Sequence, residues 1–524
     1  MRRLPSTVVA LAFLLTWVGY FTALQWSVVR FELGIVVVLT SATILLATGL
    51  ARGWCYPLPA PLVAAALLVC AVVAEVVPFF TYTSATERRW LAHGLALTCL
   101  LVAGLLTLLR TPHRGSLALA AAVTGSFAVS AAAVRLDPAP RIDVWVTLQQ
   151  AADGMAAGQN IYQMKWVDSP GIQDAFTYLP WTAVLLAPGR WIAGDVRWAL
   201  LVAFLVGLAC LVALGARGSA RTSSMALGAS VLLVLAPGTL TQAEQAWTEP
   251  LLFACLAGWA LLVARGRAWW AVIPLALACA SKQHMALLLP ILACWQAFGL
   301  RRTVASGGLT GALIAPWFFA SPTNFVHDTI TLLIGFHPIR FANTLFIAAQ
   351  TELGWTAPFW LTGIIVLGAL AVACVLVGRR QPPLHELLRW LALVLLVANL
   401  VNKQAFYNQY WLAGALVALS LAATPAFSGD HAIPAHHRGP PVPELHDHDR
   451  VGGHHREVGG AFAAAASADR ALRRKTVRAC STASFAPATR HRKPAADWDW
   501  PLSRRLPTGM VRCWRWAHLR AWAG

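Results

Sequence analysis

The sequence is poor in charged residues, which make up 12% of its 524 positions, against about 25% in an average soluble domain. Apolar runs of roughly 15–20 residues, close to the length that spans a bilayer, recur from the N terminus to about residue 423. The mean hydropathy is +0.61. These features exclude a globular protein with a single core and predict an all-α polytopic membrane protein. The apolar runs do not alternate with a period of two residues, which argues against a β-barrel.

Several chemical motifs are absent as well. The ten cysteines form no CxxC pair and no Cys/His pair at zinc spacing. The chain has no P-loop, no glycine-rich dinucleotide turn, no HExxH and no GxSxG. The polar loops hold no aspartate pair at DxD spacing, which argues against a metal-held nucleotide sugar, so we expect neither metal nor cofactor. The net charge of +19 does not indicate a nucleic-acid partner, because the arginines lie in short loops between apolar runs, where they fix membrane orientation.

The apolar runs predict a bundle of about 13–15 transmembrane helices, some of them shorter than the roughly 20 residues that a bilayer needs. We divide the chain into N-terminal transmembrane helices (1–134), an outer loop region (135–196), a transmembrane core (197–424) and a disordered basic cytoplasmic tail (425–524). The tail's Ala, Arg, Pro, His and Gly bias is also what a high-GC gene gives when it is read out of frame. The predicted spans lie near residues 7–24, 33–50, 60–77, 90–109, 117–134, 197–214, 224–238, 250–264, 269–281, 283–298, 304–320, 356–377, 386–400 and 409–423.

Residues 178–193 are apolar but short, and Pro180, Pro188 and Gly189 are expected to interrupt them. If this segment dips into the membrane and returns, seven arginine clusters fall on one side, as the positive-inside bias requires. A full crossing would move the later clusters to the other side. We therefore predict a re-entrant or short helix here, with every polar-rich loop on the outer face. The seven clusters are Arg2/Arg3, Arg52, Arg110/Arg114, Arg217/Arg221, Arg265/Arg267, Arg301/Arg302 and Arg379/Arg380.

The segment RIDVWVTLQQAADGMAAGQNIYQ (141–163) is unusually polar for so apolar a chain. Read as a helix, it has Asp143 near its start and an apolar side that carries Leu148 and Met155. We expect it to lie flat, with Leu148 and Met155 at the lipid boundary and Asp143 facing an outer cavity. There the carboxylate can take a proton from an acceptor hydroxyl. The alternative is an ordinary aspartate that is favoured by the helix dipole.

Four further polar segments adjoin the spans: TLTQAEQAWTEP (239–250), SKQH (281–284), FHPIRFAN (336–343) and NKQAFYNQYW (402–411). Carboxylates and amides can bind sugar hydroxyls, an aromatic face can cover the ring, and cations can hold a lipid phosphate. Taken singly, each residue can equally be a solvated loop residue, an interface anchor or a snorkelling side chain. The candidate substrate-binding residues are Gln150, Tyr162, Tyr178, Gln242, Glu244, Gln245, Trp247, Glu249, Lys282, Gln283, His284, His337, Arg340, Asn343, Asn402, Lys403, Gln404, Tyr407 and Asn408.

The order of these motifs resembles glycosyltransferase family 87, the polyprenol-phosphate-mannose-dependent type of the integral-membrane class C glycosyltransferases. The family pattern starts with an aspartate in the first large outer loop, matched by Asp143. It continues with Gly-x-x-x-Tyr, matched by Gly158 and Tyr162, and with Tyr-x-Pro, matched by Tyr178 and Pro180. AWTEP, SKQH and NKQAFYNQYW are also similar to bacterial members. About five spans precede the aspartate here, whereas family members usually have one, and we attribute the difference to an N-terminal extension.

The resemblance implies a GT-C-like bundle and an inverting, metal-independent transfer with Asp143 as the catalytic base. The sugar is expected to be mannose, or another such as arabinofuranose, carried by a polyprenyl-phosphate donor. The acceptor is expected to be a glycolipid or polysaccharide at the outer face of a bacterial inner membrane, so that membrane lipid, donor and acceptor are the partners. Two other classes stay open: a transporter or flippase, which broken helices and intramembrane charges also fit, and a non-catalytic membrane scaffold.

Overall fold

The computed structural model describes residues 6–216 and 220–424. Within these ranges the chain forms helices and no strand, which confirms the all-α prediction. Eight of the described helices are long and apolar enough to cross a membrane by length and composition, and five shorter apolar segments of 10–17 residues accompany them. The chain is therefore an all-α polytopic membrane protein. The predicted tail and the clusters at Arg2/Arg3 and Arg217 lie outside the described residues.

Most helices follow the predicted spans but start and end at different residues, and the span predicted near 283–298 is instead a 3-10 helix followed by a six-residue α-helix. Short 3-10 helices at Ile161–Gln163 and Gln283–Leu288 and a π-helix at His327–Thr331 interrupt the series. The α-helices are α1 (Ser6–Ser27), α2 (Leu33–Ala51), α3 (Ala60–Val76), α4 (Ala85–Leu108), α5 (Arg114–Leu136), α6 (Asp143–Ala156), α7 (Pro180–Ala193), α8 (Val196–Gly215), α9 (Ala220–Val234), α10 (Thr239–Glu244), α11 (Glu249–Ala264), α12 (Val272–Ser281), α13 (Leu289–Cys294), α14 (Gly299–Ala320), α15 (Pro322–Val326), α16 (Leu332–Gly335), α17 (Leu345–Glu352), α18 (Phe359–Arg380), α19 (Leu384–Val401) and α20 (Tyr407–Ala422).

The polar loops meet at one end of the bundle, which we call the polar face. Hydrogen bonds join loops that are far apart in sequence: Gln25 Nε2 donates to the Val77 carbonyl at 2.5 Å, and Thr81 Oγ1 donates to Glu244 Oε1 at 2.9 Å. The Asn343 side chain likewise donates to the Arg30 carbonyl at 2.6 Å. The predicted grouping of these loops is therefore present in the fold. The polar face is built from residues 28–32, 77–84, 137–142, 157–179, 235–248, 321–358 and 402–406.

The arginine-rich loops lie at the opposite end, which we call the basic face. Arg302 at the start of α14 lies 5.5 Å from the ring of Trp269, in the loop between α11 and α12. Arg389 in the second turn of α19 donates to the carbonyl of Trp54, in the loop between α2 and α3, at 2.8 Å. The two faces thus separate the described arginine clusters from the polar loops, as the charge pattern predicts.

Helix α7 begins and ends at the polar face, so it is the predicted short helix rather than a crossing. Pro180 starts it at a position that needs no backbone N–H, and Gly194 ends it with a left-handed φ of 82°. The expected interruption at Pro188 is wrong, because the helix continues through it. Gly189 lets α8 pack closely, since a Cβ there would lie 2.8 Å from the Ala199 backbone nitrogen.

Helix α6 packs against α7 and the following loop instead of lying on lipid. Leu148 is fully buried in a cluster that includes Phe176 and Leu186, so its expected place at the lipid boundary is wrong. The physical reason is that α7 offers an apolar surface of its own, which cannot be anticipated from the period of α6. Gly154 faces the Met164 side chain on the other side, where a Cβ would come within 2.3 Å of the sulfur.

A buried arginine joins α5, α8 and α10 beneath the polar face. Arg197 is fully buried, and its Nη2 atom lies 2.6 Å from Asp195 Oδ2. The same nitrogen donates to the Asp137 carbonyl at 2.7 Å, and Nη1 donates to the Glu244 carbonyl at 3.4 Å. Because a buried charge is tolerated only when it is paired and hydrogen-bonded, this arrangement fixes the ends of three helices relative to one another.

Candidate functional site

Asp143 is the first residue of α6 and carries a carboxylate without an ion-pair partner among the described residues. Its Oδ1 atom accepts the Val144 N–H at 2.9 Å, so one oxygen is bound to the backbone of the first helical turn. Gly171 lies against the other side, where a Cβ would come within 2.8 Å of Oδ2. Burial raises the pKa of this carboxyl group, and the backbone hydrogen bond partly opposes the rise. A raised pKa makes the ionised form a stronger base.

Tyr178 is close enough to Asp143 and Glu249 to be affected by both carboxylates. Burial, followed by the nearby carboxylates of Asp143 and Glu249, raises the pKa of its hydroxyl. The backbone of Tyr178 is held by Tyr162, whose hydroxyl donates to the Tyr178 carbonyl at 2.9 Å. Lys282 Nζ lies 5.6 Å from the centre of the Tyr178 ring. The site around Tyr178 therefore combines residues from α6, the loop before α7, α11 and the end of α12.

Lys282 and Glu249 form a buried ion pair in the site around Tyr178. Their Nζ and Oε1 atoms are 2.5 Å apart, and Thr248 Oγ1 accepts a second hydrogen bond from Nζ at 3.2 Å. Asn408 Nδ2 donates to Glu249 Oε2 at 2.9 Å, so the carboxylate is bound on both oxygens. Because Glu249 already neutralises Lys282, this lysine is less available to a substrate phosphate than the sequence suggests.

Glu244 binds the loop before α4 instead of a cation. Its carboxylate accepts from Thr81 Oγ1 at 2.9 Å, from the Tyr82 N–H at 3.3 Å and from Gln245 Nε2. Burial raises its pKa to about 7, against the effect of these hydrogen bonds. Burial, then Glu244 and then Asp143 raise the pKa of the Tyr82 hydroxyl, which places this loop beside Asp143 as well.

Next to Glu244 lies a group of buried polar atoms that have no hydrogen-bond partner among the described residues. By hydrogen-bond geometry they are both amide atoms of Gln242, Oε1 of Gln245 and the hydroxyl of Tyr407, although the Gln242 side chain and the Tyr407 hydroxyl are close enough to interact with each other. The Tyr407 ring stacks on Trp247 with centroids 5.1 Å apart and an interplanar angle of 29°. Such atoms cost free energy unless a partner is supplied, and amides and hydroxyls need a partner that both donates and accepts.

An open cavity reaches this group from the side of α5 and α8, with a volume of about 480 Å³ when the space open to its surroundings is included. Its walls are mostly apolar, with Phe127 and Phe204 among them, and its polar lining comes from Ser126, Ser130, Thr239 and Gln242. The Thr239 hydroxyl accepts the Trp411 indole N–H at 3.2 Å. The cavity therefore offers apolar walls together with an unpartnered amide.

Other candidate residues serve the fold rather than this group. Gln150 holds the loop over α6, with Oε1 accepting the Val167 N–H at 2.9 Å and Nε2 donating to the Val167 carbonyl at 2.7 Å. Asn343 is buried against the turn between α1 and α2, where Oδ1 accepts the Glu32 N–H at 3.1 Å. Gln283 Nε2 donates to the Thr177 carbonyl at 2.9 Å. His284 is partly buried and, unlike these residues, lies close enough to Lys282 to be affected by its charge.

A separate polar patch forms where residues 402–404 meet residues 334–340. Lys403 Nζ donates to the carbonyls of Ile334, at 2.7 Å, and Phe336, at the C-terminal end of α16, where a cation is favourable. Gln404 Nε2 donates to the His337 carbonyl at 3.2 Å. Asn402 Oδ1 accepts the Gln404 N–H at 3.2 Å, and Arg340 is exposed. None of these side chains bonds to Asp143, Glu249 or Lys282 in the described structure.

Two features at the polar face were missed by sequence reasoning. Asp328 is buried in the π-helix, where it accepts the Phe176 N–H at 2.9 Å and lies 2.9 Å from His327 Nδ1. Single π-helical turns often mark functional sites, but nothing in the local sequence indicates one. The other feature is Arg141, an exposed cation close enough to Asp137 to lower its pKa, after the effects of burial and Arg197.

The described residues contain no group of three or more His, Cys, Asp or Glu side chains that could hold a metal ion. No protein-family model matches the chain, and neither a curated protein nor a solved structure matches it.

Proposed function

We propose that the protein is a membrane glycosyltransferase. It takes a sugar, mannose in the first place, from a polyprenyl-phosphate donor and transfers it to a glycolipid or polysaccharide. The observation that carries the proposal is the position of Asp143: an unpaired carboxylate with a raised pKa at the same face as the unpartnered polar atoms of Gln242, Gln245 and Tyr407. The resemblance to glycosyltransferase family 87 supports the same reaction.

Asp143 is the general base of the proposed reaction. It takes the proton of the acceptor hydroxyl as that oxygen forms a bond to the anomeric carbon. The bond between this carbon and the phosphate oxygen breaks, and polyprenyl phosphate leaves with the electron pair. Attack from the side opposite the leaving group inverts the anomeric configuration. Oδ2 suits this role, because Oδ1 is occupied by the Val144 N–H.

The sugar ring is proposed to bind at Gln242, Gln245, Trp247 and Tyr407. The hydroxyl groups of a sugar both donate and accept, which matches the unpartnered amide and phenol atoms there. The Trp247–Tyr407 stack supplies an aromatic surface for the C–H face of the ring. The cavity beside Gln242 has apolar walls that suit the prenyl chain of the same donor.

The donor phosphate needs a cation that is not already neutralised. Lys282 is already paired with Glu249, with its Nζ atom 2.5 Å from Oε1. Arg141, two positions before Asp143, is exposed. We assign the phosphate contact to Arg141 and a positioning role to the Lys282–Glu249 pair. A guanidinium group binds phosphate oxygens in pairs and stabilises the charge that develops on the leaving group.

The topology that suits this substrate places the polar face outside a bacterial inner membrane. The described arginine clusters then lie on the cytoplasmic side, in agreement with the positive-inside bias. The prenyl chain stays in the bilayer while its phosphate and sugar reach the polar face.

The test is a product assay with purified full-length protein and radiolabelled polyprenyl-phosphate mannose. The expected result is label in a new glycoside, lowered at least about 100-fold by Asp143→Asn, because a general base typically contributes a factor of 10²–10⁴. Asp153→Asn is the matched control on the same helix, since Asp153 forms only a half-exposed pair with Arg190. Near-normal transfer by Asp143→Asn would remove the assignment of the base.

One observation favours a transporter as the second candidate. Helix α12, the 3-10 turn and α13 are short, and a buried ion pair lies at their junction, as in the discontinuous helices of transporters. The same assay separates the two, because a transporter forms no glycosidic bond. Movement of labelled donor across proteoliposomes without any new product would support transport.

A further inference from the structure

A second cavity lies between α1, α2 and α20, at the end of the bundle away from Asp143. The cavity is open on one side, with a volume of about 680 Å³ when the space open to its surroundings is included. Its walls are almost wholly apolar, with Phe13, Trp17 and Ala42 among them. Trp54 and Tyr56, from the loop between α2 and α3, close it at the basic face. Leu45, another wall residue, is 40% exposed, so the cavity opens towards the surface that faces lipid.

Arg389 adjoins the basic end of this cavity. Its guanidinium lies 4.7 Å from the centre of the Tyr56 ring, and it donates to the Trp54 carbonyl at 2.8 Å and to Ser420 Oγ at 3.3 Å. Arg389 is only 2% exposed, yet it forms no ion pair with a carboxylate of the described residues, and its Nη2 atom has no partner there. A charge buried in a membrane protein normally has a counter-charge or marks a binding site.

A second unpartnered donor lies in the cavity wall. The indole N–H of Trp17 is buried and has no acceptor among the described residues. Indole and guanidinium nitrogens only donate hydrogen bonds. Both unsatisfied groups therefore need acceptors, and the arginine also needs negative charge, while the surrounding walls need an apolar chain.

We propose that this cavity binds an anionic glycerophospholipid of the surrounding membrane. An acyl chain occupies the apolar space between α1, α2 and α20, and the phosphate lies at Arg389. The oxygens of the head group and esters supply the acceptors that Arg389 and Trp17 lack. Basic pockets between membrane helices are known to select anionic head groups in this way. The site lies at the basic face and does not depend on the reaction proposed for the polar face.

The test is native mass spectrometry of the full-length protein with phosphatidylglycerol or phosphatidylcholine of the same acyl chains. We expect one phosphatidylglycerol to be retained, with about tenfold preference over phosphatidylcholine, or about 1.4 kcal/mol. Ala42→Phe fills the cavity and is expected to abolish retention of both lipids. Ile44→Phe, at a 60% exposed position of the same helix, is the matched control and retains phosphatidylglycerol as the wild type does.

Arg389 variants test the head-group contact. Arg389→Lys keeps the charge and most of the preference, whereas Arg389→Gln loses it. Equal retention of the two lipids by the wild type would overturn the proposal, and so would an Ala42→Phe protein that retains phosphatidylglycerol normally. If Arg389→Gln does not fold, the comparison of Ala42→Phe with Ile44→Phe still shows whether the lipid binds in this cavity.

Discussion

The Nζ atom of Lys282 lies 2.5 Å from the Oε1 atom of Glu249, although 33 positions separate the two residues in the chain. Lys282 directly follows α12 and Glu249 begins α11. Asn408 at the start of α20 donates to the second oxygen of Glu249 at 2.9 Å. Three helices are thus joined beside Tyr178 and Asp143. The pair sets the positions of neighbouring groups more directly than it offers a charge to a ligand.

Replacing one residue of this pair is expected to destabilise the protein more than replacing both. Lys282→Met or Glu249→Gln alone leaves a buried charge without its counter-charge, at a cost of about 3–5 kcal/mol. The double variant leaves no such charge and is expected to recover most of that loss. Thermal melting of the four proteins in one detergent measures the coupling. A double variant that is destabilised by the sum of the single effects would contradict a direct interaction.

The rate of transfer is expected to fall as the pH is lowered through the pKa of Asp143. Burial raises this pKa, so the ionised base is lost at a higher pH than for an ordinary aspartate, whose pKa is about 3.9. The measurement is kcat at saturating donor and acceptor across the acidic range. Asp153→Asn should show the same profile. A wild-type rate that stays constant down to the ordinary aspartate pKa would exclude Asp143 as the titrating base.

Glu244 is expected to make the protein less stable as the pH rises from about 4.5 to about 7. Its folded-state pKa, about 7, lies above its ordinary value, so the unfolded chain ionises first and holds fewer protons over this range. Stability therefore falls with rising pH. Glu244→Gln removes this contribution, so the difference in Tm between variant and wild type should grow in favour of the variant towards pH 8. A difference that does not depend on pH would contradict the raised pKa.

Arg197→Met is expected to be among the most damaging single changes. It leaves the buried Asp195 carboxylate without its partner and removes hydrogen bonds to the Asp137 and Glu244 carbonyls, so a loss of about 3–5 kcal/mol follows. Arg190→Met is the matched control, because its pair with Asp153 is half-exposed and exposed pairs contribute about 0–1 kcal/mol. Thermal melting in detergent compares the two variants. Equal losses of stability would contradict the role of Arg197 in fixing the ends of three helices.

Gln242→Leu is expected to stabilise the protein while weakening donor binding. The change removes two buried polar atoms that have no partner in the described structure, and such atoms cost about 1–3 kcal/mol each when desolvated. Gln150→Leu should instead destabilise the protein, since the Gln150 amide forms two hydrogen bonds with the Val167 backbone. The measurements are Tm and the donor KM. A destabilised Gln242→Leu protein with an unchanged KM would indicate a structural role.

The start of α6 at Asp143 and the shortness of α7 could be predicted from the sequence. Both follow from local features: a polar segment with a helical period, and an apolar run over residues 178–193 that is too short to span a bilayer. The arginines at the ends of apolar runs also predicted the two faces. The partner of each polar side chain could not be predicted. Asn343 and Gln150 carry the same amide group as Gln242, yet they bond to backbone and Gln242 does not.

The roles of Arg197 and Asp328 could not be predicted for the same reason, because their partners are distant in sequence. Arg197 lies at the start of an apolar helix, where its sequence position suggests a surface residue. Its role is shown by bonds to the carbonyls of Asp137, 60 positions earlier, and Glu244, 47 positions later. Asp328 binds the Phe176 N–H across 152 positions. Contacts at such separations leave no periodic pattern in a single chain.

The sequence by itself determined that this is an all-α membrane protein, where its helices lie and which of its loops are polar, because hydropathy and helical period act over neighbouring residues. Only the tertiary structure decided that Lys282 is bound to Glu249, that Asp143 has no ion-pair partner among the described residues and that Leu148 is buried by α7. These outcomes depend on which helices pack together, and packing brings into contact side chains that the chain itself keeps far apart.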